Sequence, residues 1–401
     1  MKIWIIGIMD FPEGRGATPR IRNIGSGLDE LGHFVDLDII HPAGYIGSNQ
    51  KLASFGNYNG INYRYLNGSF KRPQSELALV FIKLLSNFKL VWKYLTNRKP
   101  DIIWFYSYSL IDTGLLFFFA KIYGTKTVID VCDERFDIHA IEHSKSLFRR
   151  INGWQGKISD IAYFKWVDGF AVVSSYLKSK IELLYSGQPI ILLPLVANIL
   201  EHDENWESDV SKSGAYLGSF TADEGLEFLI GVMSEIKVRH PDFKCVLYGA
   251  ANSPEYENKL RDIVKKENLE SSIIFGGMLP FAEIVPALRQ HRLVLLPRLD
   301  SVISKAGFPG KLSEYLSSNR PIVATPFGDI NKYFKNNESA FIASSFTKED
   351  YLKCLLSALE SVEISTSVAL NAHRIGKNKF HYTSVAVQIE NFIIALSEKK
   401  G

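Results

Sequence analysis

Cysteine is nearly absent from this chain: Cys132, Cys245 and Cys354 are the three found in 401 residues, odd in number and far apart. That excludes a disulfide framework and a Cys-rich zinc site, and it fits a reducing cytoplasm. Long apolar runs are missing too. The longest, Leu115–Ala120 with its neighbours, falls well short of the roughly 18 residues needed to span a bilayer. The opening MKIWIIGIMDFPEG is too short for a signal h-region with a cleavage site and reads as a first strand. Neither sign of charge dominates: 46 Lys and Arg against 43 Asp and Glu leave +3, so nothing global argues for a nucleic-acid partner. No short repeat, low-complexity tract or G-x-G-x-x-G fingerprint occurs. The remaining composition, 46% hydrophobic and 22% charged, is that of a globular protein long enough for two domains.

The charge that is present is unevenly placed. Residues 1–200 hold 23 basic and 17 acidic side chains, and residues 201–401 hold 23 and 26. Within 51–100 the balance is nine to one in favour of Lys and Arg.

Short apolar runs alternate with segments of helical period, as in a parallel α/β protein. Strands are expected at Lys2–Ile8, Phe34–Ile39, Asp101–Tyr106, Thr127–Val131 and Gly169–Ser174, with helices at Pro19–Leu31, Gln74–Leu95, Asp112–Tyr123, Ile151–Lys165 and Tyr176–Tyr185. A second series places strands at Ala215–Leu217, Lys244–Tyr248, Ser272–Phe275, Leu293–Pro297 and Pro321–Ala324. Its helices are expected at Gly225–Arg239, Pro254–Glu267, Phe281–Gln290, Lys311–Ser318 and Lys348–Ser361. Between the two series, residues 198–213 are polar, acidic and aperiodic, and read as a linker. The division predicts a Rossmann-like domain over 1–197, a second over 214–383, and a terminal helix within 384–401 that packs back on the first. Ligands of open α/β sheets sit beyond the carboxyl ends of the strands, so two parallel sheets facing an interdomain cleft are expected.

The segment Pro297–Ile330, PRLDSVISKAGFPGKLSEYLSSNRPIVATPFGDI, carries the most chemistry. It reads as a strand end, a glycine loop, a short helix, a turn and a second strand. Free backbone N–H groups at such a helix start attract phosphate. Gly307 and Gly310 allow close backbone approach, and Pro309 suits a first helical turn. Arg298, Lys305 and Lys311 surround the loop, and Glu314 lies one turn into the helix, where a carboxylate can accept two hydrogen bonds from a ribose diol. Together they suggest a nucleoside diphosphate site; each alone would read as a solvated side chain.

Three other stretches hold candidates. Gly14–Arg20 is a glycine loop into a helix, with Arg20 and Arg22 able to meet an anion or simply to face solvent. Thr127–Asp137, TVIDVCDERFD, ends a strand in acids: Asp130, Asp133 and Glu134 could position a hydroxyl or act as base, or they could form a solvated strand end. The helix over 74–95 sets Phe81, Leu84, Leu85, Phe88, Val91, Trp92 and Leu95 beside Lys83, Lys89 and Lys93. Such a helix packs its apolar face on the sheet or lies on an anionic membrane, and both can hold, since lysines flanking a buried face remain exposed. His139 and His143, four apart, are too few for a zinc site.

The sequence around 306–330 resembles the donor-site signature of family 4 glycosyltransferases with the GT-B fold. Gly307, Phe308 and Glu314 match it, as do Pro321–Thr325 and Gly328, and the FPxKLxEYL form is similar to a branch found in bacterial surface-polysaccharide synthesis. Lys2–Val35, Asp168–Leu177 and Ala215–Ile230 resemble it more loosely. The resemblance implies a metal-independent enzyme that needs no cofactor. It would move a sugar from a nucleotide diphosphate donor (UDP or GDP), with retention, to a carbohydrate or lipid-linked hydroxyl, in the cytoplasm or at the inner face of the membrane. It implies diphosphate contacts from Arg298, Lys305, Lys311, Gly307, Phe308 and Gly16. Nucleotide contacts would come from Glu314, Gly218, Ser219, Met278 and Leu312, and a reacting-sugar position from Cys132 or Asp133, with Arg20 nearby. Two departures stand out. Ala306 occupies the place of the family's first glutamate, and Ser219 and Glu224 replace the Arg and Lys that neutralise the donor diphosphate. Arg298, Lys305 and Lys311 are the cations left for that task. The rival expectations are a GT-B nucleotide-sugar epimerase and a non-catalytic nucleotide-sugar-binding protein.

Overall fold

A computed structural model of the chain describes residues 1–14, 16–44, 53–69, 71–73, 75–134, 147–201, 211–251 and 253–398, with only the backbone described at 76, 147–155 and 211. In chain order the elements are β1 (Lys2–Gly7), α1 (Ala17–Glu30), β2 (Phe34–Ile39), β3 (Phe55–Tyr58), β4 (Ile61–Tyr65), α2 (Glu76–Thr96), β5 (Ile102–Phe105), α3 (Leu110–Ile122), β6 (Lys126–Val131), α4 (Leu147–Trp166), β7 (Gly169–Val172), α5 (Ser175–Leu184) and β8 (Ile190–Leu192). They continue with β9 (Ser211–Leu217), α6 (Leu226–Arg239), β10 (Lys244–Tyr248), α7 (Pro254–Lys266), β11 (Ile273–Gly277), α8 (Phe281–Arg289), β12 (His291–Leu296), α9 (Val302–Ala306), α10 (Leu312–Ser318), β13 (Ile322–Ala324), α11 (Ile330–Tyr333), β14 (Phe341–Ile342), α12 (Lys348–Glu360), α13 (Val362–Ile375) and α14 (Tyr382–Glu398). The chain divides into two compact units, Met1–Ala197 with Tyr382–Gly401, and Asn198–His381. The GT-B fold class expected from the sequence is the one observed, an α/β chain with two sheets of mainly parallel strands.

The first unit is built on an eight-stranded sheet in the order β3-β4-β2-β1-β5-β6-β7-β8. Two of its interior strands, IIWF of β5 and GFAV of β7, are buried along their whole length, as parallel strands covered on both faces must be. The β3–β4 hairpin at one edge was not expected from the sequence. Asn59 (φ 46°) and Gly60 (φ 81°) both take left-handed backbone between its strands, the two-residue turn that Asn-Gly favours. The helix α14 joins this unit through Val385, Ile389, Ile393 and Leu396, which share a core with Ile21, Ile24 and Leu28 of α1. The two helices approach closely at Gly27, where a Cβ would come within 2.7 Å of the Ala386 methyl. His33 Nε2 and Glu390 Oε1 lie 2.9 Å apart in the same unit.

The second unit has a six-stranded sheet in the order β11-β10-β9-β12-β13-β14, and all its pairs are parallel. The strand order reverses between β9 and β12, so the chain leaves the two central strands toward opposite edges. That is the switch point at which doubly wound sheets open a crevice. Residues 198–213 are not a simple linker: Ser211 already begins β9, and 202–210 lie outside the described residues. The helix α13 also went unforeseen. Ser361 ends α12 and caps α13, its side chain accepting from the Ile364 N–H at 3.3 Å, so two helices abut without a loop.

Candidate functional site

The carboxyl ends of β9 and β12 bring together Tyr216, Gly218, Glu224, Arg298 and Lys311. Lys311 enters at the start of α10, and its ammonium lies 2.5 Å from Glu224 Oε2 and 3.0 Å from the Tyr216 hydroxyl. It also sits over the Tyr216 ring, 4.2 Å from the centroid. Arg298 follows β12 directly. Its Nε is 3.5 Å from Glu224 Oε1, and its guanidinium is 5.4 Å from the centroid of Phe327. The Tyr216 hydroxyl has one proton to give, and both the Ser219 carbonyl (2.9 Å) and Glu224 (3.2 Å) are within reach. Gly218, at φ 146°, leaves the space open: a Cβ there would come within 2.9 Å of Lys311 Cε.

Two cations thus flank the Glu224 carboxylate in a largely buried crevice, with Glu314 close enough to act on Lys311 as well. Burial pushes the Lys311 ammonium down to about 8, with Glu224 opposing the shift. For Glu224, burial works against ionisation, but Lys311 and Arg298 outweigh it and hold the carboxyl below its ordinary value. Burial raises the Glu314 carboxyl, which stands one turn into α10. The Tyr315 hydroxyl accepts from the Leu217 N–H at 2.9 Å and donates to the Leu295 carbonyl at 2.9 Å, spanning β9 and β12 where their pairing has ended.

Other expected donor contacts are placed differently. Lys305 is half exposed and pairs with Asp300 at 2.8 Å, so it does not join Arg298 and Lys311. The Phe308 ring packs on Tyr333 (5.6 Å) and Phe380 (5.7 Å), and the Gly307 N–H donates to the Ile303 carbonyl at 2.9 Å. Leu312 is fully buried in the core, whereas Met278, just beyond β11, is half exposed. Ala306 is buried as well. Sequence reasoning missed Tyr216 and Tyr315. It read Glu224 only as a lost cation, although an acid at that position beside a lysine in the loop is a complementary exchange.

In the first unit the acids after β6 separate. Asp130 is fully buried. Its carboxylate accepts from Arg20 Nε at 3.0 Å and from a terminal guanidinium nitrogen at 2.9 Å, from Trp104 Nε1 at 3.3 Å and from Cys132 Sγ at 3.4 Å. Arg20 also donates to the Leu193 carbonyl at 2.8 Å. Burial opposes the Arg20 charge, but Asp130 outweighs it and strengthens it. Burial likewise pushes the Cys132 thiol well up, so it stays protonated. Arg20 and Cys132 are therefore committed to contacts inside the fold, while Asp133 is exposed and Glu134 pairs with Lys180. Gly16 precedes α1 with φ 59° and open space around its Cα. His139, His143 and Arg15 lie outside the described residues. Among the described residues no group of three or more His, Cys, Asp or Glu could hold a metal ion.

Residues 211–361 match the family model described as Glycosyl transferases group 1. No curated protein sequence matches the chain. Among solved structures, sucrose-phosphate synthase from Thermosynechococcus elongatus is similar at 13% identity and a TM-score of 0.72, with 98% of each chain covered. A glycosyltransferase from Rickettsia africae is similar at 14% identity and 0.68, covering 99% of each chain. Anabaena HepE, solved in complex with UDP-glucose, is similar at 13% identity and 0.68, covering 98% of this chain and all of the other. At such identities the likeness is one of fold.

Proposed function

We propose that the chain transfers a sugar from a nucleoside diphosphate donor, held in the β9–β12 crevice, to a hydroxyl acceptor. The observation that carries this reading is the convergence of Arg298 and Lys311, with Gly218 beneath them, at the switch point of the sheet that matches the glycosyltransferase family model. In the reaction the acceptor oxygen bonds to the anomeric carbon and the bond from that carbon to the diphosphate oxygen breaks. The acceptor proton leaves to a base, and Asp133 is our candidate. Negative charge grows on the departing diphosphate, which fixed cations in a dry crevice stabilise. Glu314 holds the ribose diol. The anomeric configuration is retained, and the product belongs to a surface polysaccharide or glycolipid. UDP or GDP is the favoured carrier.

Glu224 gives weight to a second reading. It already neutralises one of the two cations, which suits a protein that binds a nucleotide-sugar without activating its leaving group. Consumption of donor in the presence of acceptor separates the two.

Thermal unfolding with UDP, GDP, ADP, TDP and CDP tests the site. One base is expected to raise the midpoint by several degrees at saturating concentration, and Glu314→Ala is expected to erase that rise. If no nucleotide moves the wild-type midpoint, the donor site is refuted.

The same complex should depend on pH in a defined direction. Lys311 carries its charge below about 8. Nucleotide affinity should weaken as pH rises through that value. Isothermal titration across that range checks this, and the weakening should be missing in Lys311→Arg.

A further inference from the structure

The helix α2 wears its apolar stripe on the outside. Its buried side carries Leu79, Leu90 and Tyr94 but also Ser86 and Asn87. The Asn87 side-chain amide donates to the carbonyls of Leu110 (3.2 Å) and Ile111 (3.0 Å) and its oxygen accepts from the Leu115 N–H (3.2 Å), so polar bonds fasten the helix to α3. The outward line is Leu77, Phe81, Leu84, Phe88, Trp92 and Leu95. Steps of three and four residues keep all six on one face for five turns. Phe81 is 66% exposed, Phe88 63% and Trp92 71%. A row of rings and aliphatic chains this long, facing water, marks a contact surface rather than scattered exposure.

The exposed charge flanking the line is mostly positive. Arg72, Lys89, Arg98 and Lys99 are exposed, and none has an acidic partner among the described residues. Beside the line a groove of about 770 Å³ opens between β4 and α2, walled by Phe88 and Trp92 and lined by Arg64, Lys89 and Lys93. Lys93 and Arg64 share the one buried carboxylate of Asp38, at 2.9 and 3.4 Å, so positive charge exceeds negative there.

We propose that this face of α2 docks on an anionic lipid bilayer, with Phe81, Phe88 and Trp92 entering the headgroup boundary and the flanking cations meeting lipid phosphates. Aromatic rings bordered by lysine and arginine suit that boundary, where one end of each side chain is dry and the other wet. No helix among the described residues is long and apolar enough to cross a membrane, so the contact runs along the surface. The inference is independent of sugar transfer: a chain that bound no nucleotide could still dock in this way.

Flotation of the full chain with vesicles tests it. The protein should float with vesicles of phosphatidylglycerol and phosphatidylcholine in equal parts and much less with phosphatidylcholine alone. Phe88→Gln with Trp92→Gln should weaken flotation by at least about tenfold, since two large apolar side chains no longer leave water. Lys89→Glu with Lys99→Glu should weaken it most at low salt. Far-UV circular dichroism of each variant should match wild type. Two results would overturn the proposal: wild type that stays at the bottom of the gradient with both vesicle types, or a folded Phe88→Gln/Trp92→Gln variant that floats as well as wild type. A dimer in light scattering that dissociates in that variant, without vesicle binding, would assign the face to a second copy of the chain and overturn it equally.

Discussion

Lys311→Met is expected to cost about 3–5 kcal/mol of stability and to abolish nucleotide binding, because it strands the Glu224 carboxylate in a crevice built for a pair. Arg298, 3.5 Å away, still faces Glu224 and sets the loss toward the lower end. The second half of the expectation separates fold from function. Adding Glu224→Gln to Lys311→Met removes the stranded charge, so denaturant unfolding should recover most of the lost stability. Nucleotide titration should recover nothing, because one of the two cations proposed to meet the diphosphate is still gone. Glu224→Gln alone should do the reverse. It frees Lys311 and Arg298 from their internal anion, so while Lys311 stays charged the affinity for a nucleoside diphosphate should rise, by about tenfold for a charge at this range in a partly dry site. Without Glu224 to oppose burial the ammonium titrates lower, and the gain should fade earlier as pH rises. A Lys311→Met protein that unfolds with wild type and still binds nucleotide would show that the pair is neither buried enough nor near enough to matter.

Arg20→Met should be about as costly, by about 3–5 kcal/mol, for a different reason. Asp130 has no access to water and depends on Arg20 for two of its hydrogen bonds. Trp104 and Cys132 remain as donors, but neither brings positive charge. Pairing Arg20→Met with Asp130→Asn should restore much of the stability. The functional readout discriminates further. If Arg20 holds β6 against α1 and nothing more, the double variant should keep the proposed sugar-transfer activity at the wild-type level. If folded Arg20→Met keeps the wild-type midpoint but loses activity, Arg20 meets the substrate instead.

Much of this was legible in the chain. Alternating apolar runs and helical periods mark ten of the thirteen parallel strands, because buried strands such as IIWF and GFAV leave no ambiguity of face; β4 and the short strands β8 and β14 went unforeseen. The loop from Ala306 to Glu314 stands out through its glycines, proline and charges. Pairing was harder to read. Nothing local in TADEG says that Glu224 turns toward a lysine 87 residues later. Spacing alone puts Arg298, Lys305 and Lys311 around one loop, whereas the short helix α9 carries Lys305 out to Asp300. Periodicity gives the stripe of α2 but not which way it faces. That was decided by Ser86 and Asn87, whose hydrogen bonds need partners on the β4 and α3 side. The β3–β4 hairpin has its signal in Asn59-Gly60, but its strands are only four and five residues long.

The hydroxyl of Tyr315 has one more consequence. Where β9 and β12 part, the Leu217 N–H and the Leu295 carbonyl would ordinarily be left to bind water or a ligand; the phenol answers both. The floor of the crevice is thereby quieted: it offers an incoming molecule no donor from Leu217, and the Leu295 carbonyl has one of its two lone pairs already engaged. Selectivity must come from the walls, where three ionised side chains and a glycine set both the sign and the size of what fits. Tyr315→Phe would give the floor its voice back: two main-chain groups would compete for solvent, and a crevice tuned by charge would begin to choose by hydrogen bonding.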